Sequence, residues 1–140
     1  MYRTRKHYSY YINQTKKEGT KCPFCSLLNE ETIVLEDKHF YILPPKYPYD
    51  YWENCKVLEH LLIIPKIHSK SLAGLPDNDA QDIYKAIIKY ESKGYDIFTR
   101  ASGNSTRTVK DHLHIHLIKT DSKIANINIS IEKPYFLFVK

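Results

Sequence analysis

Hydrophobic residues recur along this chain with two different periods. From Pro76 to Lys93, Ile83, Ala86, Ile87 and Tyr90 fall at i, i+3, i+4 and i+7 while Lys85, Lys89 and Glu91 fall between them, which predicts one amphipathic helix. Asp77 or Asp79 is placed to cap its first turn, and Gly94 to end it in the left-handed conformation. Elsewhere the runs are short and of strand type. Ile33 to Leu35 and His39 to Leu43 flank Glu36, Asp37 and Lys38, a hairpin pattern. Pro44, Pro45 and Pro48 then break regular structure, so a loop is expected to run to about Leu58. Leu61 to Ile64 reads as a buried strand ended by Pro65, and Tyr95 to Arg100 resumes strand character. Ile127, Ile129 and Ile131 alternate with polar residues, and a last apolar run covers Tyr135 to Val139. Many short strands around one long helix predict an α+β domain on an antiparallel sheet, with a short helical or irregular segment at the N-terminus.

The most informative stretch is residues 112–118, His-Leu-His-Ile-His-Leu-Ile. On an extended strand side chains alternate, so His112, His114 and His116 share one face and Leu113, Ile115 and Leu117 the other. The aliphatic face suits a core. The imidazole face lines a site, with neighbouring rings roughly 6–7 Å apart. Three aligned groups that exchange protons near neutrality point to chemistry rather than solubility.

Composition adds bounds. The 140 residues fit a single domain, which would bury about two-thirds of its unfolded surface. There is no apolar run of the roughly 20 residues a membrane span needs, and the basic start of the chain has no apolar segment after it. A cytoplasmic protein is expected. The net charge of +5 is spread along the chain, which favours anionic ligands in general. Of three cysteines, Cys22 and Cys25 form a Cys-x-x-Cys pair and Cys55 stands alone. An odd count argues against a disulfide framework and leaves a metal half-site, preferred here, or a redox pair.

Two chemistries suit the histidine array. A neutral imidazole can attack phosphorus, with flanking rings orienting it and binding phosphate oxygens, and no metal is then needed at the reacting centre. Alternatively His112 and His114 chelate Zn²⁺ and a third ligand, from His60, His68 or Asp111, completes an open hydrolytic site. The polar loop from Ser102 to Thr108 offers Asn104, Ser105, Arg107 and Thr108 as phosphate-binding candidates.

The run His-Leu-His-Ile-His-Leu-Ile resembles the motif of the histidine triad (HIT) family, three histidines each followed by aliphatic residues. His60-Leu-Leu-Ile-Ile-Pro-Lys-Ile-His68 is similar to the family's second signature, at a similar distance upstream. Cys22-Pro-Phe-Cys25 and the two short strands after it resemble zinc-containing bacterial members. The likeness covers about residues 20–120 of a single HIT-like domain, with an N-terminal arm at 1–19 and C-terminal strands at 124–139.

This resemblance implies a nucleotide-binding hydrolase or transferase, usually a homodimer. It would cleave a phosphoanhydride or phosphoramidate at the α-phosphate of a dinucleoside polyphosphate or nucleotide conjugate. It implies His114 as the nucleophile that carries a covalent nucleotidyl group, His112 and His116 as assisting residues, and His60 as completing the pocket. It further implies structural zinc on Cys22, Cys25, His68 and His112, with no catalytic metal. The expected partner is the nucleotide substrate, not a membrane or nucleic acid. A non-catalytic nucleotide-binding module is the alternative. The chain departs from the family pattern in three places. Arg107-Thr-Val109 is followed by two residues before the triad where one is usual. No acidic residue near Leu43 to Pro45 matches the family's ribose contact, and an enlarged loop, residues 47–52, carries rings that could stack on a base or pack on the core.

Overall fold

The structure, a computed structural model, describes Arg3 and residues 22–26, 32–129 and 137–139. Eight strands and one α-helix occur among them: β1 (Leu35–Glu36), β2 (Phe40–Leu43), β3 (Tyr51–Trp52), β4 (Cys55–Pro65), α1 (Asp77–Glu91), β5 (Asp96–Phe98), β6 (Ile115–Ile124), β7 (Ile127–Ile129) and β8 (Leu137–Val139). The expected N-terminal segment falls outside the described residues, Arg3 apart. The chain divides into two compact units, one of Lys21–Pro45 with Leu61–Leu117 and the other of Met1–Thr20, Lys46–His60 and Ile118–Lys140.

The larger unit is the α+β body that the periodicities predict. The main sheet has the order β1-β2-β4-β6-β5. Strand β2 pairs antiparallel with β4, in the register Phe40 to Pro65 and Leu43 to Leu62. Alternation then sorts the side chains. Phe40, Ile42, Leu61 and Ile63 join Ile83, Ala86 and Tyr90 of α1 in the main core, together with Leu113, Ile115 and Leu117. Tyr41, Leu43, Leu62 and Ile64 face the other way, where Phe24 and Ile33 cover them. Strands buried on both faces are apolar at every position, as β2 is.

Helix α1 begins after Pro76 without a side-chain cap; Asp77 and Asp79, the expected caps, both lie within its first turn. His39 Nδ1 lies 2.9 Å from Asp79 Oδ1, which ties the β1–β2 hairpin to the first turn of the helix. At the other end Gly94 takes φ +84°, the left-handed conformation expected there, and its N–H bonds the Glu91 carbonyl at 2.8 Å.

In the smaller unit the expected loop to Leu58 is partly strand. Trp52 and Cys55 close a two-residue hairpin over Glu53 (φ 47°) and Asn54 (φ 64°), so β4 starts six residues before Leu61. Both central residues of a primed turn need positive φ, which asparagine tolerates well. Glutamate does so poorly, and the Glu-Asn pair therefore gives no strong turn signal in the sequence. Strands β7 and β8 pair antiparallel, with Ile127 opposite Val139. Among the described residues no helix is long and apolar enough to cross a membrane.

The hairpin-to-helix tie is testable. His39→Ala should lower unfolding free energy by about 1–2 kcal/mol, because Asp79 loses a largely desolvated partner. The urea midpoint should fall with the m-value unchanged. An unaltered midpoint would show that the pair contributes nothing.

Candidate active site

Leu113, Ile115 and Leu117 are core residues, so the alternation read from the sequence holds and the three histidines lie off the core-facing side. All three are nevertheless buried. The ladder starts at Ile115, later than the motif. Before it, the Leu113 N–H bonds the Ser69 carbonyl at 2.6 Å, so the segment following β4 holds the first part of the motif. That segment is close-packed: a Cβ on Gly74 would fall 2.5 Å from Ser69 Oγ.

A succession of carbonyl contacts orients the rings. His112 Nε2 lies 2.8 Å from the Pro65 carbonyl, and His114 Nδ1 lies 3.0 Å from the His112 carbonyl. A carbonyl only accepts, so both nitrogens must donate. On neutral His114 the proton is therefore on Nδ1 and the lone pair on Nε2. Burial pushes the His114 pKa below the ordinary imidazole value, opposed by the His112 carbonyl, and positive charge on Arg107 lowers it further. The neutral ring is thus favoured. His112 is lowered by burial in the same way. The Thr99 hydroxyl donates to the His114 carbonyl at 2.8 Å, and the Phe98 ring lies parallel to His116 at 4.3 Å. The rings of His114 and His116 are 5.2 Å apart.

The cysteine pair meets two histidines. His112 Nδ1 is 3.4 Å from Cys22 Sγ and 3.6 Å from Cys25 Sγ, and His68 Nδ1 is 3.1 Å from Cys25 Sγ. All four donor atoms lie within 4.8 Å of one another. Donors around a tetrahedral Zn²⁺ stand roughly 3.3–3.8 Å apart, and a two-sulfur, two-nitrogen set suits that ion. The residues therefore fit a metal. The Pro65 carbonyl supports the fit, because it holds the His112 proton on Nε2 and leaves the Nδ1 lone pair toward the sulfurs. Both His112 nitrogens thus have partners, and its carbonyl is the group that meets His114. Phe24, between the cysteines, sets its ring 5.6 Å from His112 and 5.3 Å from His114, both edge-on.

His60 belongs to the smaller unit. The Tyr49 N–H donates to its Nδ1 at 3.1 Å, and the Tyr49 ring stacks on it at 4.7 Å. Neutral His60 therefore carries its proton on Nε2. Arg3 lies over the far ring system, 4.6 Å from the Tyr49 centroid, and bonds the Tyr47 carbonyl at 2.9 Å. Of the two roles open to the rings of the enlarged loop, Tyr49 takes the packed one, being buried against a histidine.

The phosphate-loop candidates are not brought together. Asn104 is exposed and its Oδ1 accepts from the Thr106 N–H and hydroxyl, a local turn. Ser105 and Thr108 are exposed. Arg107 turns inward and is only 2% exposed. Its Nε donates to the Val109 carbonyl and its Nη1 to the Lys70 and Arg100 carbonyls. The guanidinium thus joins the loop before the triad to the segment after β4. Sequence reading missed Phe98, Thr99 and Phe24 as residues touching the triad. Phe24 had a signal, its place within the cysteine pair. Phe98 and Thr99 had none beyond belonging to a strand.

No family model matches the chain. It is 32% identical over 123 residues to the adenosine 5'-monophosphoramidase HNT1 of Saccharomyces cerevisiae, covering 81% of this chain and 75% of that protein. Against its namesake in Candida albicans it is 26% identical, with 77% and 76% covered. Among solved structures, a HIT family hydrolase from Clostridium thermocellum superposes with a TM-score of 0.55 at 28% identity, over 76% of this chain and 96% of that one. The histidine triad nucleotide-binding protein of Candida albicans gives 0.54 at 25% identity, over 72% and 76%. Fold and site together define an α+β protein built around a row of buried imidazoles. The chain belongs to the histidine triad (HIT) family.

Two outcomes follow from this geometry. Cys22→Ser should lose bound metal, measured by elemental mass spectrometry, and melt at least about 5 °C earlier. Metal content equal to wild type would remove Cys22 from the ligand set. Arg107→Gln should lower stability by about 2 kcal/mol, since it abandons three carbonyls in the interior. A variant of full stability with a raised KM would instead make Arg107 a substrate contact.

Proposed function

We propose that this protein hydrolyses nucleotide conjugates at the α-phosphate through a covalent nucleotidyl intermediate on His114. The substrate class is a nucleoside phosphoramidate, a dinucleoside polyphosphate or a related conjugate, in keeping with the phosphoramidase name of its yeast relative. The observation that carries the reading is the contact of His114 Nδ1 with the His112 carbonyl, which supports an unprotonated Nε2.

The Nε2 lone pair attacks the α-phosphorus, and as that bond forms the bond from phosphorus to the leaving nitrogen or oxygen breaks. The leaving group keeps the electron pair and takes a proton from solvent. Water then attacks the same phosphorus, the N–P bond returns its electrons to Nε2, and a nucleoside monophosphate and a proton depart. His116 serves the phosphate oxygens, and His60 is the residue to which the family resemblance gives a supporting part. On His60 the Tyr49 amide supports a proton on Nε2. Asn104, Ser105 and Thr108 remain candidates for phosphate contact as the loop meets substrate. Arg107 is assigned to holding that loop.

Cys22, Cys25, His68 and His112 would hold zinc as a closed four-ligand site that braces the N-terminal segment against the triad. That set includes His112 and leaves His114 out, which favours a nucleophilic His114 over a triad that chelates a catalytic metal. The reading carries with it a cytoplasmic homodimer, as the family resemblance implies.

Wild-type protein mixed with adenosine 5'-monophosphoramidate and quenched in alkali should gain one adenylyl group by intact mass. His114→Ala should show no adduct and turn over at least about a thousandfold slower, with nucleotide affinity within about threefold of wild type. Turnover within tenfold of wild type is too small a loss for a missing covalent nucleophile. A protein that binds nucleotide but never forms the adduct would be a binding module.

A further inference from the structure

The last residue of β5, Phe98, and the residue after it, Thr99, both touch the triad. Thr99 holds the His114 carbonyl through its hydroxyl at 2.8 Å. Phe98 lies face to face with His116, with 4.3 Å between ring centroids and 10° between planes. Edge-on contacts are the commoner arrangement in this site: Phe24 meets His112 at 84° and His114 at 61°. Phe98 is half-buried, and the Arg100 guanidinium carbon lies 5.7 Å from its ring centroid.

The outer torsion of a histidine is soft, so the plane of the ring is decided by what packs against it. A near-parallel ring at this distance resists rotation about that torsion, because turning the imidazole drives its edge into the phenyl face. Orientation matters for a group that must meet a phosphate oxygen along its N–H direction as charge moves.

We propose that Phe98 is a positioning residue of the reaction, its stacked ring setting the plane in which His116 meets the phosphate. The proposal rests on the reading of this site as one that forms a nucleotidyl-histidine.

The test uses the full chain with Phe98→Leu, Phe98→Tyr and Phe98→Trp, assayed on adenosine 5'-monophosphoramidate and observed by NMR at the carbon-bound imidazole protons of His116. Phe98→Leu should lower kcat about tenfold with KM within about twofold, while the two aromatic variants should stay within about threefold of wild-type kcat. In wild type the His116 resonances should be displaced upfield by the ring current of Phe98. Leucine should abolish that displacement and tyrosine keep it. Wild-type kcat in Phe98→Leu, failure of tyrosine to restore kcat, or undisplaced His116 resonances in wild type would each overturn the proposal. Should the leucine variant not fold, the aromatic variants and the wild-type resonances still decide. Failure of the underlying reading is separately visible, because wild type would then form no adenylyl adduct whatever the His116 resonances show.

Discussion

An imidazole attacks phosphorus only through a nitrogen that has its lone pair, and in a neutral ring just one nitrogen has it. Everything in this site depends on which one. The backbone carbonyl of His112 takes the proton-bearing Nδ1 of His114, so the lone pair falls on Nε2. The carbonyl belongs to a residue whose own ring is fixed by the next carbonyl, that of Pro65 at the end of β4. Backbone groups have no alternative tautomer, which makes them better locks than side chains would be. Burial adds to this by disfavouring the charged ring.

His112 links this lock to the cysteine pair. One nitrogen meets the Pro65 carbonyl and the other meets the two sulfurs, so the cysteine turn is coupled to a residue two positions before His114. Phe24 rides on the same turn and rests its ring against His114. A metal held by Cys22, Cys25, His68 and His112 would, in the proposed reading, serve only to hold these groups in place. The inward Arg107 does comparable work from the opposite direction by tying three carbonyls of the surrounding loops.

Patterns that depend on one period were legible in the sequence. The stripe of α1, the alternation at 112–118 and the apolar β2 each place their residues by burial alone, and the structure agrees. The donor cluster was legible through the resemblance, and its members do converge. What escaped was set by tertiary context. The Glu53-Asn54 turn lacks the glycine that usually announces such hairpins, so the start of β4 was hidden. Arg107 looked like a surface phosphate contact because arginine is seldom buried, and only the folded loops show the carbonyls that accept from its Nε and Nη1. Phe98 and Tyr49 looked like ordinary core or loop aromatics. Their importance comes from the histidines they face, which sit far from them in sequence.

Which ring nitrogen of His114 carries the proton is read directly by nitrogen NMR. Long-range correlations between ring nitrogens and carbon-bound protons, on 15N-labelled protein at neutral pH, distinguish a protonated from an unprotonated nitrogen in each histidine. His114 should show a protonated Nδ1 and a bare Nε2. A His114 whose proton resides on Nε2 would contradict the proposed reaction, since the atom proposed to attack phosphorus would then have no electron pair to give.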